Sequence, residues 1–167
     1  GVNGSIVVEP GSSSRRITTG RRDTNVQMNP GQYVDWQLDA SDTKQGSIRT
    51  VINNINRFSG NSVIDVQEAT SIDLTRSLPA FRNPVTIKGN DNLTLSGSND
   101  GKNRLSGFTF RADGSSVSNV TLNDFGRTAV TLIGGRSSGA AVDMQVSNVT
   151  INNSQTGLRA VNYFGAA

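Results

Sequence analysis

Asp91 and Asp124 each follow an asparagine, Asn90 and Asn123, that closes a Val-Thr-aliphatic stretch. At matched positions of a repeating structure, two such carboxylates could serve glycoside hydrolysis, where their separation sets the mechanism. The corresponding position further on is Asn153, which favours solvated turn residues instead. Arg15, Arg16, Arg21 and Arg22 place four cations within eight residues. A patch of that kind can bind anionic polysaccharide, nucleic acid or lipid headgroups. It holds no aromatic for base stacking, which argues against nucleic acid and leaves a solvated loop or an anionic glycan site.

Other chemistry is excluded by residue type. The chain has no His, which removes the Ser-His-Asp arrangement, His-ligated zinc and the usual general base near neutral pH. It has no Cys, so neither disulfides nor thiolate metal sites can form. The Asp residues that follow residue 46, at 65, 73, 91, 100, 113, 124 and 143, are scattered and do not converge as a calcium site requires. No catalytic residue, metal or cofactor is assigned on this basis.

The elements that must position these residues are mostly strands. Of the 167 residues, 34% are hydrophobic and 5% aromatic, lean for a compact globule but sufficient for a thin core fed by small aliphatic side chains. Residues 1–45 form a separate β-rich extension, with strands expected at 5–9, 26–28 and 32–38 and a Gly/Ser/Arg loop over 10–24. A helix is expected over 46–58, because Ile48, Val51, Ile52, Ile55 and Phe58 recur at three and four residues. Short alternating strands then follow to the end, separated by Gly, Asn, Asp or Ser. No apolar run approaches the length of a membrane-spanning helix.

Val117-Ser118-Asn119-Val120-Thr121-Leu122-Asn123 returns 29 residues later as Val146-Ser147-Asn148-Val149-Thr150-Ile151-Asn152. Strand-plus-Asn units at 20–30 residues are the mark of a solenoid. Val85, Phe108 and Val130 form one series, 23 and 22 residues apart; Leu93, Val120 and Val149 form another, 27 and 29 apart. On this reading one coil has about 22 residues. A loop over 134–141 stretches the last coil. An antiparallel sandwich would give short strands but no near-identical segments at coil-length intervals.

The helix at Gly46-Ser47-Ile48-Arg49-Thr50-Val51-Ile52 is followed by Ile64/Val66, Ile72/Leu74, Leu78-Pro79 and then Val85-Thr86-Ile87-Lys88-Gly89-Asn90. This order resembles the start of the right-handed parallel β-helix domains of bacterial secreted and surface proteins. That group includes pectate-lyase-like proteins and polymorphic outer-membrane or autotransporter passengers. The resemblance covers about residues 46–161 and implies that helix 46–58 caps the solenoid. It also implies that Asn90, Asn123 and Asn152 sit at tight turns and stack as a ladder. Arg76-Ser77-Leu78-Pro79-Ala80-Phe81-Arg82 is similar to the R-x-P-x-x-R motif of pectate lyases, but its first Arg is one residue out. On a strand that step turns the side chain to the other face.

The expected fold is therefore all-β, a right-handed parallel β-helix with an N-terminal capping helix. The extension spans 1–45 and the solenoid 46–167. The expected function is a non-enzymatic adhesion or structural module, extracellular or at the cell surface. Anionic polysaccharide or a host surface is the expected partner. A carbohydrate-active lyase or hydrolase fragment is one alternative. A self-assembling pilus or phage-fibre component is another, and would make the chain a homo-oligomer.

Overall fold

The structure is a computed structural model; it describes residues 15–17, 32–34, 48–57, 60–66, 69–98, 100–134 and 143–162, the first two segments by backbone alone. The expected strands at 5–9 and 26–28 and the loop over 134–141 lie largely or wholly outside the described residues. So do Phe58, Arg21 and Arg22.

The described residues form eleven strands and one helix. In chain order these are β1 (Arg15–Ile17), β2 (Gln32–Val34), α1 (Ile48–Arg57), β3 (Ser62–Asp65), β4 (Thr70–Asp73), β5 (Val85–Ser96), β6 (Phe108–Phe110), β7 (Ser116–Asn123), β8 (Thr128–Gly134), β9 (Gln145–Ser147), β10 (Thr150–Asn152) and β11 (Thr156–Asn162). Every strand pairing is parallel. One sheet runs β1-β2-β3-β5-β7-β10, with β4 also on β5 and β9 also on β7; a second runs β11-β8-β6. Such a fold is compatible with a solenoid. Arg15 and Arg16, expected in a loop, belong to β1, and β2 pairs with β3, so the large sheet continues across α1 into the first 45 residues.

β5 and β7 each bend once. Val85–Lys88 pairs with β3 and with Ser116–Ser118, whereas Leu93–Ser96 pairs with β4 and with Val120–Asn123. With the β6 strand set, each pass of the chain thus contributes three strand segments. Alternation turns one face of each inward. Ile64, Ile72, Val85, Ile87, Leu93, Leu95, Phe108, Phe110, Val117, Val120, Leu122 and Val130 are all buried in one core. The Phe81 and Phe110 rings stack at 5.2 Å and 7°, with Phe108 tilted against both.

The pairing corrects one of the expected series. Phe108 does pair with Val130, but Val85 lies opposite Ser62 in the large sheet, and it is Phe81 that bridges to Phe110. Val-Thr-aliphatic stretches look alike wherever one face is inward, so period two cannot say which sheet a strand joins. The repeat at 117–123 and 146–152 does fall in register, Val117 opposite Val146 and Thr121 opposite Thr150.

Corners between segments use residues that tolerate the left-handed region. Among the described residues all six non-glycine residues at positive φ are Asn or Asp: Asn90, Asp91, Asn119, Asp124, Asn148 and Asn153. Asn119 alone turns β7 between its halves, and Asn148 does so in the next pass; in β5 the corner takes Gly89 to Asn92. Gly89 is obligatory, since a β-carbon there would run into the Asn119 carbonyl oxygen and the Val120 side chain.

α1 buries Ile48, Val51, Ile52 and Ile55 in the same core. It is pinned to the stretch before β5 by polar contacts. The Arg49 guanidinium, only 6% exposed, donates to the Ser77 and Arg76 carbonyls at 2.7 Å each. Asn56 donates to the Ala80 carbonyl and accepts from the Arg82 N–H, and the Asn83 amide donates to the Ile55 carbonyl. Arg49→Met leaves two carbonyls without their charged donor. It is expected to lower unfolding free energy by about 3 kcal/mol, read as a reduced urea midpoint at unchanged m-value. Asn119→Ala is expected to cost about 1 kcal/mol, whereas Asn119→Gly stays near wild type, because only alanine is strained at φ 54°.

Candidate functional site

The outward positions of the large sheet form straight rows, because parallel pairing without slippage puts equivalent residues one above another. On the segments after the bend, Ser71, Thr94, Thr121 and Thr150 make one row; Asp73, Ser96, Asn123 and Asn152 make the next. Before the bend the rows are Val63, Thr86, Ser116 and Gln145, then Asp65, Lys88, Ser118 and Ser147. Neighbours in a row are about 4.8 Å apart and adjacent rows about 7 Å, so hydroxyl and amide groups form a regular grid.

Side-chain amides tie successive passes together. Asn152 Nδ2 donates to Asn123 Oδ1 at 2.9 Å, and Asn153 Nδ2 donates to Asp124 Oδ1 at 2.7 Å. Asn90 does not join this stack. It lies at the other corner, where its Nδ2 donates to Asp65 Oδ1 at 2.6 Å and to the Val66 carbonyl. Positive φ belongs to Asn90 but not to Asn123 or Asn152, whose following residues, Asp124 and Asn153, make the turn. Each of these amides reaches back to the preceding pass.

Asp91 and Asp124, read from the sequence as solvated turn residues rather than a catalytic pair, stand at opposite ends of a strand segment. Asp91 stands before Leu93, and Asp124 follows Asn123, the partner of Ser96. Lys88 lies at the Asp91 end and Arg127 at the Asp124 end. The strand segment between separates their backbones by about 13 Å along the strand, whereas the carboxyl groups of glycosidase pairs stand roughly 5–9.5 Å apart. Arg76 and Arg82 are exposed, and their stretch serves as the platform on which α1 docks. No three acidic side chains gather as a metal site among the described residues. Arg15 and Arg16 are placed by backbone only, so the four-arginine cluster lies largely outside the described residues.

No family model, no curated protein and no solved structure gives a significant match to this chain. No described helix is long and apolar enough to cross a membrane.

The threonine row escaped the sequence reading, although its signal was present: the repeats carry Thr at the same place, Thr121 and Thr150. Register adds Thr94 and Ser71, which no local pattern connects to them.

Among the described residues one carboxylate has a shifted titration. Asp100, in the loop between β5 and β6, accepts the backbone N–H groups of Asn103 and Lys102 at 2.7 and 2.9 Å, which hold its carboxyl below the ordinary value of 3.8. Because the folded value is the lower one, the stabilisation is full above pH 3.8 and is lost as pH falls through the folded value. Amide-exchange protection at Lys102 and Asn103 is expected to drop on that acid limb in wild type and to be low and pH-insensitive in Asp100→Asn.

Proposed function

We propose that this chain is a right-handed parallel β-helix acting as a non-enzymatic adhesion or structural module at a cell surface or outside the cell. The observation that carries the reading is the grid of outward Thr, Ser and Asn side chains, held in register by the core behind it. A rigid array of donors and acceptors suits repeated contact with a polymer whose own groups recur. The parallel crossovers support the handedness, since nearly all such connections are right-handed. The order of capping helix, leading strand and repeats supports a bacterial secreted or surface setting. The separation of Asp91 from Asp124 weighs against the hydrolase alternative.

The self-assembly alternative draws on one feature. In the last pass Val146, Val149 and Ile151 are only partly buried, and Leu158 is 51% exposed. Among the described residues, β11 pairs on one side only.

Incubation with a panel of plant, bacterial and animal polysaccharides tests the proposal. Saturable binding to a subset is expected, with the polymer recovered at unchanged length and without new reducing or unsaturated ends. Turnover of any bound polymer would sink the non-enzymatic reading. Sedimentation of the same samples is expected to show one small species; a fibre or a stable trimer would favour self-assembly.

A further inference from the structure

The smaller sheet carries a different surface from the hydroxyl grid. β6, β8 and β11 contain no carboxylate. Their inward residues, Phe108, Phe110 and Val130, are buried, so Thr109, Thr131 and Arg159, which lie opposite one another, point outward in one row. Arginines border this row at both ends. At one end the Arg127 N–H donates to the Leu105 carbonyl, and Arg104 lies against Gly126, which brings Arg104 and Arg127 together. At the other, Phe81 bridges to Phe110 and the Arg111 N–H donates to the Phe81 carbonyl, which puts Arg82 beside Arg111. The six residues of β8 and its approach from Arg127 to Leu132, which lies opposite Phe110, span about 17 Å.

These cations are available. Arg82, Arg104, Arg127 and Arg159 are exposed and Arg111 is half-buried. Their guanidinium groups make no hydrogen bond or ion pair with any described residue. Of the nearby carboxylates, Asp124 accepts from Asn153 and Asp100 from Lys102 and Asn103, while Asp113 stands two residues from Arg111.

We infer that this arginine-bordered strip is a binding site for a polyanionic polysaccharide, carboxylated or sulfated. The inference rests on the adhesion reading and gives it a face and a ligand class. Guanidinium groups take carboxylate and sulfate oxygens in paired, charge-assisted hydrogen bonds. Cations at both ends and in the middle match a polymer with recurring anions, and the threonine hydroxyls between them match the sugar hydroxyls. Nucleic acid fits less well. The sheet's phenylalanines are inside, and so is Phe125, so none of the described phenylalanines offers a stacking platform for bases. A membrane would need a broad apolar surface beside the cations; the outward row has none, and among the described residues Leu158 is the one large apolar side chain exposed.

The experiment titrates the full chain with heparin and with polygalacturonate, using dextran and polyuridylate as comparators. Saturable, salt-weakened binding is expected to one or both acidic glycans, and which of them binds decides between sulfate and carboxylate. Arg82→Ser/Arg127→Ser/Arg159→Ser is expected to weaken it about tenfold while leaving circular dichroism and melting temperature unchanged. Arg15→Ser/Arg16→Ser/Arg21→Ser/Arg22→Ser is expected to bind as wild type. Equal binding by the triple variant and wild type, tighter binding of polyuridylate than of either glycan, or no binding to either glycan overturns the site. Appearance of new chain ends on the bound glycan would instead overturn the non-enzymatic reading and leave the strip standing.

Discussion

Every described strand completes its backbone hydrogen bonding with a strand some 17 to 30 residues away and parallel to it. None forms a hairpin with its chain neighbour. The backbone is therefore satisfied only when whole passes lie in register, and all else depends on that register. A slip of one residue would turn Leu93, Leu95, Val120 and Leu122 outward and bring the threonine row into the core. The aliphatic core and the outward rows are two consequences of one alignment. Side-chain amides reinforce it at the corners, where Asn152 and Asn153 each reach back one pass.

The placement of α1 depends on the same alignment. α1 brings four aliphatic residues to the core, but its position is set by a buried guanidinium and two asparagines that read the carbonyls and one N–H of residues 76–82. That stretch carries the arginines that resemble a lyase motif. One of them, Arg76, gives its carbonyl to Arg49, and the other, Arg82, gives its N–H to Asn56. Both backbones are thus committed to holding the helix, while the side chain of Arg82 remains on the surface of the smaller sheet.

Much of this fold was legible in the sequence where a motif repeats without change. The segment 117–123 and its copy pair at their sequence offset, and the apolar stripe of α1 was visible from its spacing. Legibility failed where equivalent passes differ in length. The corner of β5 is longer than that of β7, so Asn90 looked equivalent to Asn123 although it turns a different corner, and Val85 looked equivalent to Phe108 although it joins a different sheet. The arginine strip had no local signal. Arg82, Arg104, Arg111, Arg127 and Arg159 are dispersed through the chain, and only the pairing of Phe81 with Phe110 and of Thr131 with Arg159 draws them onto one face. The cluster that local density did announce, at Arg15 to Arg22, is a property of sequence rather than of any described surface.

The change of corner between β5 and β7 acts like a stacking fault in a crystal. Before it, passes turn through four residues; after it, they turn through a single left-handed asparagine, and the ladder jumps between Lys88 and Leu93. Layers of like shape nest on each side of such a fault, but the two kinds meet only once. A layer copied from the 117–152 repeat would therefore nest among its own kind and misfit if placed ahead of β5. The protein can be lengthened from one direction without disturbing the passes against which α1 packs, and Gly89, with no room for a side chain, marks where the two lattices join.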